Sequence, residues 1–468
     1  MSWSDLLELS ALQQAKLIAR RELASEELTR LYLSRIEALN PTFQAFVEVW
    51  PEEALASARK KDAQVRAGGP LPAFHGVPMG IKDLYLVRGH ITRFGSRAAM
   101  LPAPVDCVTT RALRRGGFVL LGKTTTSEFG IMPVTEPENH APTRNPWDSH
   151  RSAGGSSGGA GAAVACAMLP IAHASDGAGS IRIPASLGHL YGLKPSRGRV
   201  PNAFGRDDRT IMYTCGPLTR TVEDAAALLD VYAGLDVGKP HWLAPPSRPY
   251  AATWNQRPDR LRVGLMVDNP ISPTHPAMRE AAERVARLLE AAGHTVELRT
   301  APPVNLDEFM PIYQTLAADA PIMVPHRAQP ITQWMRSAGK RLPRGAGARA
   351  QTELTIRLAR TMEGLDLMVS PTLGVPIPEI GRWRNLPPEV AFGEAAHMGA
   401  YTAGANITGS PAATIPAGLL EGRWPMGVQI MARPGEDALV LQVSHLLEQQ
   451  MPWRGLWAPG AGRPVAGA

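Results

Sequence analysis

Residues 152 to 184 read SAGGSSGGAGAAVACAMLPIAHASDGAGSIRIP, and the reading of this stretch decides the fold. A Gly/Ser run is commonly a flexible tether. Here it passes directly into an Ala-rich apolar segment, a short apolar stretch and a second Gly-rich turn, so a tether is not expected. The glycines are read as structural: they let backbone approach backbone and supply positions with φ > 0, as in turns that present a side chain or a row of N–H groups. Each turn carries a serine, Ser156 in the first and Ser180 in the second, 24 positions apart.

Gly154-Gly155-Ser156-Ser157-Gly158-Gly159 and Asp176-Gly177-Ala178-Gly179-Ser180-Ile181-Arg182-Ile183-Pro184 resemble the two halves of the amidase signature. The spacing of Ser156 and Ser180 is similar to the one that family shows between its bridging serine and its nucleophile. Upstream, Gly76-Val77-Pro78-Met79-Gly80-Ile81-Lys82-Asp83 resembles the family's lysine motif. Further similar segments are Thr126-Ser127-Glu128-Phe129-Gly130, Tyr191-Gly192-Leu193-Lys194-Pro195, Gly216-Pro217-Leu218-Thr219-Arg220, Asn406 to Ala412 and Pro425 to Gln429. The resemblance thus spans nearly the whole chain. It implies an α/β fold with a mixed, mostly parallel central sheet covered by helices on both faces, and a single domain over 1–468. That domain is expected to carry an N-terminal helical cover at about 1–60 and a helical substrate-pocket insertion at about 235–390.

The resemblance also implies a Ser-Ser-Lys triad of Lys82, Ser156 and Ser180, with the peptide bond into Ser156 cis. An amide carbonyl resists attack, so a nucleophilic hydroxyl must lose its proton as it attacks, and fixed donors must meet the developing oxyanion. Ser180 follows a Gly-rich turn, where the backbone N–H groups of Gly177, Ala178, Gly179 and Ser180 are candidate oxyanion donors. The family's lysine acts as a neutral amine, which requires a pKa well below the usual 10.4 or so and hence burial. Asp83 would oppose that if it faced Lys82, so it is expected to point away and hold backbone or Arg groups. Arg182 and Asp176 are read as structural partners, and Ser175 as a residue behind the triad. Ala178 stands where the commonest family pattern has Gly. It keeps its N–H but tolerates φ > 0 poorly.

Composition bounds the answer independently. A chain of 468 residues buries a large core, and length alone would suggest two or three domains. The net charge of +7 is spread along the chain, with Arg111, Arg114 and Arg115 the densest cluster and no basic stripe interleaved with aromatics, so nucleic acid is not an expected partner. Cys107, Cys166 and Cys215 are widely spaced and odd in number, fitting neither a disulfide framework nor a zinc site. His75, His140, His150 and His173 lack ligand spacing and are read as packing or loop residues. No metal or cofactor is implied. The first residues carry charge every few positions with no apolar core, and no segment is apolar enough to span a bilayer, so neither a signal peptide nor a membrane is expected. A cytoplasmic monomer or homodimer is the expectation.

Along the chain, residues 11 to 39 have helical periodicity and are expected to stop before Pro41. Asp106 to Arg115 reads as a helix and Phe118 to Lys123 as a buried strand. Thr221-Val222-Glu223-Asp224 reads as a capping box opening a helix through Tyr232. From 261 a β-α-β pattern resumes: Leu261 to Met266, Pro276 to Ala292, Thr295 to Leu298. Specificity is assigned to Phe309 through Arg360 and to the loop around Met132 and Asn139. Met310, Met323, Trp334 and Met335 are candidates for an apolar pocket, with plain core packing the competing reading. The expected activity is hydrolysis of C–N bonds in small, largely apolar aryl or aliphatic carboxamides through an acyl-enzyme on Ser180. Carbamate or ester hydrolysis by the same triad is the alternative. A glutamine-dependent amidotransferase subunit is disfavoured because Thr214-Cys215 precedes Gly216-Pro217, where that subunit usually has an Asp-Gln pair.

Overall fold

The computed structural model describes residues 3–201, 212–235, 237–239 and 241–462. Residues 1 and 2 of the expected N-terminal cover, and 236 and 240 of the expected insertion, lie outside them. Eleven strands form the main sheet among the described residues. In chain order they are β1 (Phe46–Val49), β2 (Pro78–Lys82), β3 (Val119–Thr124), β4 (Ala172–Asp176), β5 (Tyr191–Lys194), β6 (Thr214–Thr219), β7 (Arg262–Leu265), β8 (Thr295–Leu298), β9 (Leu367–Pro371), β10 (Ala412–Leu420) and β11 (Trp424–Ala432). Their order across the sheet is β1-β3-β2-β4-β6-β5-β10-β11-β9-β7-β8. The sheet is mixed. Parallel pairing joins β3, β2 and β4 on one side and β8, β7 and β9 on the other, while the strands between them pair antiparallel.

Every residue of β3 is buried, and its side chains alternate between two apolar cores: Val119 and Leu121 belong to one and Leu120 to the other. A strand buried on both faces needs such a continuous apolar run, because helices cover it above and below. The N-terminal helices supply part of one cover through Leu28, Tyr32 and Ile36. The helix Ser25–Phe43 runs through Pro41 instead of stopping before it, and closes where Gln44 adopts a left-handed conformation. The helix Gly158–Ala165 (GGAGAAVA) lies wholly buried in the same core. Its small residues let it sit directly on its neighbours: a Cβ on Gly159 would lie 2.4 Å from the Thr125 nitrogen and 2.5 Å from the Ala45 carbonyl oxygen.

The Thr221 hydroxyl accepts from Asp224 N at the start of the helix Val222–Tyr232, but the other half of the expected capping box is absent. The Asp224 carboxylate instead accepts from Ala11 N and Leu12 N, both at 2.9 Å, and caps the helix Ala11–Ala19. Tertiary contact thus takes the group that local sequence assigns to its own turn.

Within the expected insertion, β7, β8 and β9 complete one end of the main sheet. The parallel pairing of β7 with β8 around the helix Pro276–Ala291 is the β-α-β unit read from the sequence. Between β8 and β9 the chain is helical, through Leu306–Ala318, Pro330–Arg341 and Ala346–Arg360. Among the described residues no helix is long and apolar enough to cross a membrane.

Candidate active site

Lys82 is the last residue of β2 and is fully buried. Its Nζ lies 2.7 Å from Ser156 Oγ, 2.7 Å from Ser157 Oγ and 3.1 Å from Ser175 Oγ. Alternation along β2 puts Lys82 on the same face as Gly80, towards the core that holds the Ala-rich helix. The two serines that meet its amine stand just before that helix. Burial pulls the Lys82 amine down to about 7, and the charge of Asp176 works against that pull. A neutral amine is an acceptor for a serine hydroxyl proton, which an ammonium is not.

The Gly155-Ser156 peptide bond is cis, as the resemblance implies. Its surroundings fix the backbone: the Ser156 carbonyl oxygen accepts from Ser127 N and from Thr135 Oγ1, both at 3.3 Å, and the Thr135 hydroxyl also reaches the Gly154 carbonyl at 2.8 Å. Ser157 carries a second link, with Oγ 3.1 Å from the Ser175 carbonyl oxygen. Sequence reading assigned Ser157 no role, because a serine beside a serine carries no spacing of its own. Ser175 lies behind the amine as expected.

Asp83 faces away from Lys82. Its carboxylate accepts from Arg93 N at 3.2 Å and stands 3.4 Å from Lys123 Nζ, so its cationic partner is a buried lysine and not an arginine. His173 is buried on β4, with Nδ1 3.4 Å from Lys82 N, and burial first, then the nearby lysines, push its ring down to about 3. It is therefore a neutral packing residue. Among the described residues no cluster of three metal-ligating side chains occurs.

The second Gly-rich turn follows β4. Asp176 accepts from Gly179 N at 2.7 Å and from Ile181 N at 3.1 Å, and pairs with Arg182 through two bonds of 2.9 Å. Burial works to raise the Asp176 pKa, but the Arg182 charge and hydrogen bonds outweigh it and hold the carboxyl well below the usual range. The Gly179 N–H is thereby committed, which corrects its place among the candidate oxyanion donors. The N–H groups of Gly177, Ala178 and Ser180 make no hydrogen bond with the described residues. Arg182 also reaches Gln429 Oε1 and Asn406 Oδ1, tying the turn to the C-terminal part of the chain.

Ser180 and Ala178 open onto a cavity whose walls come from distant segments: Phe309, Tyr313, Leu354 and Leu358 from the helical stretch, with Met368 and Met431 from β9 and β11. Among the described residues that line it there is no Asp, Glu, Lys, Arg or His. Its polar side chains are also occupied. Asn269 donates to the Ala400 carbonyl and accepts from Ile271 N, Gln429 donates to Ser370 Oγ and the Tyr401 carbonyl, and the Tyr401 hydroxyl donates to the Val267 carbonyl. Ser180 Oγ, by contrast, makes no hydrogen bond with the described residues, so of the expected triad the structure joins Lys82 to Ser156 and leaves Ser180 without a hydrogen bond to either.

Of the two loop residues picked as substrate contacts, Met132 lines the cavity and Asn139 does not. Asn139 Nδ2 donates to the Ser96 carbonyl oxygen at 3.2 Å, which holds it as a loop brace. The segment Phe309 to Arg360 does form a wall, but through other residues than those expected. Met335 is fully buried in the core, Met310 and Trp334 pack against it, and Met323 is 63% exposed. The cavity methionines are Met132, Met266, Met368 and Met431.

A family model described as Amidase matches residues 27–441. The chain is 35% identical over 486 residues to the 6-aminohexanoate-cyclic-dimer hydrolase of Paenarthrobacter ureafaciens, covering 97% of each. A solved structure of 6-aminohexanoate cyclic dimer hydrolase complexed with substrate superposes with a TM-score of 0.88 at 32% identity, over 97% of this chain and 99% of that one. A bacterial aryl acylamidase of the amidase signature enzymes superposes with a TM-score of 0.86 at 26% identity, over 97% of this chain and 99% of that one.

Proposed function

The chain belongs to the amidase signature family and is an amidohydrolase acting on carbon-nitrogen bonds, and from that premise we propose that it cleaves small, uncharged, largely apolar carboxamides through an acyl-enzyme on Ser180. The observation that carries this reading is the buried Lys82 amine, 2.7 Å from Ser156 Oγ and drawn by burial down to about 7.

In this reading Lys82 takes the proton of Ser156 as Ser156 takes that of Ser180, and Ser180 Oγ bonds to the amide carbon. The carbonyl oxygen becomes an oxyanion facing the N–H groups of Gly177, Ala178 and Ser180. Ser156 then gives a proton to the leaving nitrogen and is resupplied by Lys82, the C–N bond breaks, and the amine departs. Water attacks the ester on Ser180 by the same relay, restoring the hydroxyl and releasing the acid.

The cavity supports an uncharged substrate. Placing an ion in an apolar space without a counter-charge costs several kcal/mol. Glutamine carries an ammonium and a carboxylate beside its reacting amide, so the absence of any Asp, Glu, Lys, Arg or His among the described residues of the cavity wall weighs against the amidotransferase reading. It does not weigh against carbamates or esters, which are neutral and differ from an amide at one atom.

A fluorophosphonate tests the assignment. Ser180 Oγ should attack phosphorus, with fluoride leaving and the serine proton passing to the relay, and peptide mass mapping should find the adduct on Ser180. An adduct on Ser156 or Ser157 would overturn it.

A further inference from the structure

The peptide unit between Ala178 and Gly179 is held at both ends. Its carbonyl oxygen accepts from Thr402 Oγ1 at 2.6 Å, and its N–H donates to Asp176 Oδ1 at 2.7 Å. Thr402 is fully buried, and its own carbonyl accepts from Arg182 Nη1 at 2.7 Å. The threonine is therefore clamped by the same arginine that clamps Asp176, and a closed ring of bonds runs Asp176, Arg182, Thr402, Ala178, Gly179. The approach is close enough that a Cβ on Gly179, which has φ +131°, would lie 2.3 Å from Thr402 Oγ1. Gly179 is thus required by both its backbone conformation and this neighbour.

We propose that Thr402 is a positioning residue that aims the oxyanion donors by locking the Ala178–Gly179 peptide. The inference rests on the acyl-enzyme at Ser180. Rotation of the locked unit would change ψ of Ala178 and φ of Gly179 together, the torsions that join it to the peptide units on either side. Those neighbouring units carry the N–H of Ala178 and the N–H of Ser180, two of the three donors left uncommitted in this turn. A donor aimed before the reaction stabilises the oxyanion without reorganisation, and that effect depends on direction as well as distance. The neighbours of Thr402 extend the argument: Tyr401 and Ala403 line the cavity, so one residue links the cavity wall to the donors.

A structural role and a positioning role separate in kinetics. Removing an oxyanion donor outright costs about 10²- to 10³-fold in rate. Misaiming donors by deleting the Thr402 hydroxyl should cost less, so Thr402→Ala is expected to lower kcat on a neutral anilide by about 10- to 100-fold while KM changes by less than about threefold. Thr402→Ser keeps the hydroxyl and should restore kcat to within about threefold of wild type. A peptidyl-type trifluoromethyl ketone, whose tetrahedral adduct places an oxyanion on the donors, should lose affinity in Thr402→Ala in step with kcat, whereas the carboxylic acid product should not. The inference is overturned if Thr402→Ala keeps wild-type kcat, or if ketone and acid lose affinity alike, or if a folded Thr402→Ser is no better than Thr402→Ala. Turnover by Ser180→Ala would overturn the acyl-enzyme reading itself, whatever the Thr402 variants do.

Discussion

Lys82 Nζ stands 2.7 Å from Ser156 Oγ at the end of a wholly buried strand, and among the described residues no carboxylate forms an ion pair with it. Burial is the larger influence and brings the amine to about 7. Only the neutral amine accepts a proton, so kcat/KM on a neutral anilide should rise about tenfold per pH unit below about 7 and level off above it. A profile flat from pH 5 to 9 would assign the base elsewhere. Stability should follow the same group. The folded chain releases the Lys82 proton near pH 7, whereas the unfolded chain keeps it to about 10.4, so across that window the unfolded chain binds more protons and stability rises with pH. Lys82→Met lacks this slope. Its Tm advantage over wild type should be largest below pH 7 and shrink towards pH 10.

Ser157 gives the amine a second contact as short as the first, 2.7 Å, and anchors it to the Ser175 carbonyl. A hydrogen bond is worth about 0.5–1.5 kcal/mol with the amine neutral and about 1.5–3 kcal/mol once it is an ammonium, as it becomes on taking the Ser156 proton, so losing it costs between about twofold and about 150-fold in rate. Ser157→Ala should therefore lower kcat by about that factor, whereas Ser156→Ala should cost several orders of magnitude. Equal losses in the two variants would mean that the serines share the proton-passing role.

The three motifs behind the proposed triad, and the turns that carry its serines, were legible because each is a local pattern: glycines at fixed offsets, a lysine closing an apolar strand, two serines at a set spacing. The strand expected at Phe118 to Lys123 was legible for the same reason, as a short apolar run that the structure puts at Val119–Thr124, whereas Ala172–Asp176, Ala412–Leu420 and Trp424–Ala432 gave no strand expectation. What escaped was assembled from a distance. Local sequence assigns Asp224 to the cap of its own helix, but Ala11 N and Leu12 N take its carboxylate. The cavity methionines Met266, Met368 and Met431 stand in or beside strands and look like ordinary core residues along the chain, whereas on the amphipathic helices Met335 is core and Met310 packs against it, neither lining the cavity. Thr402 had no local signal, since its importance is a bond to Ala178, 224 positions away.

The lack of charged side chains among the described residues of the cavity wall predicts a preference that a substrate pair can measure. An ion on the cavity wall without a partner costs several kcal/mol, and about 1.4 kcal/mol is tenfold in rate. An anilide bearing a carboxylate on its acyl chain should therefore show kcat/KM at least about 100-fold below that of its methyl-capped isostere. Leu358→Arg places a cation on the wall and should narrow the gap by at least tenfold. If the acid and its neutral isostere are turned over alike by the wild type, the acyl chain does not enter this cavity.

The leaving group separates what Lys82 does in each half of the reaction. An amine leaves only once its nitrogen is protonated, and in the proposed relay that proton comes from Ser156 resupplied by Lys82. An aryl oxide leaves a tetrahedral intermediate with little help, so the matching aryl ester tests attack with the departure step largely removed. An aryl carbamate falls in with one or the other according to which bond breaks, and the neutral Met132, Met266, Met368 and Met431 wall offers nothing with which to reject its extra oxygen. In wild type all three are expected to be hydrolysed. In Lys82→Ala, kcat/KM should fall most for the anilide and least for the ester, by at least about tenfold between the two, because the anilide loses both proton acceptance during attack and proton delivery during departure. Equal losses on the anilide, the carbamate and the ester would confine Lys82 to activating Ser180 and leave the leaving-group proton to another donor.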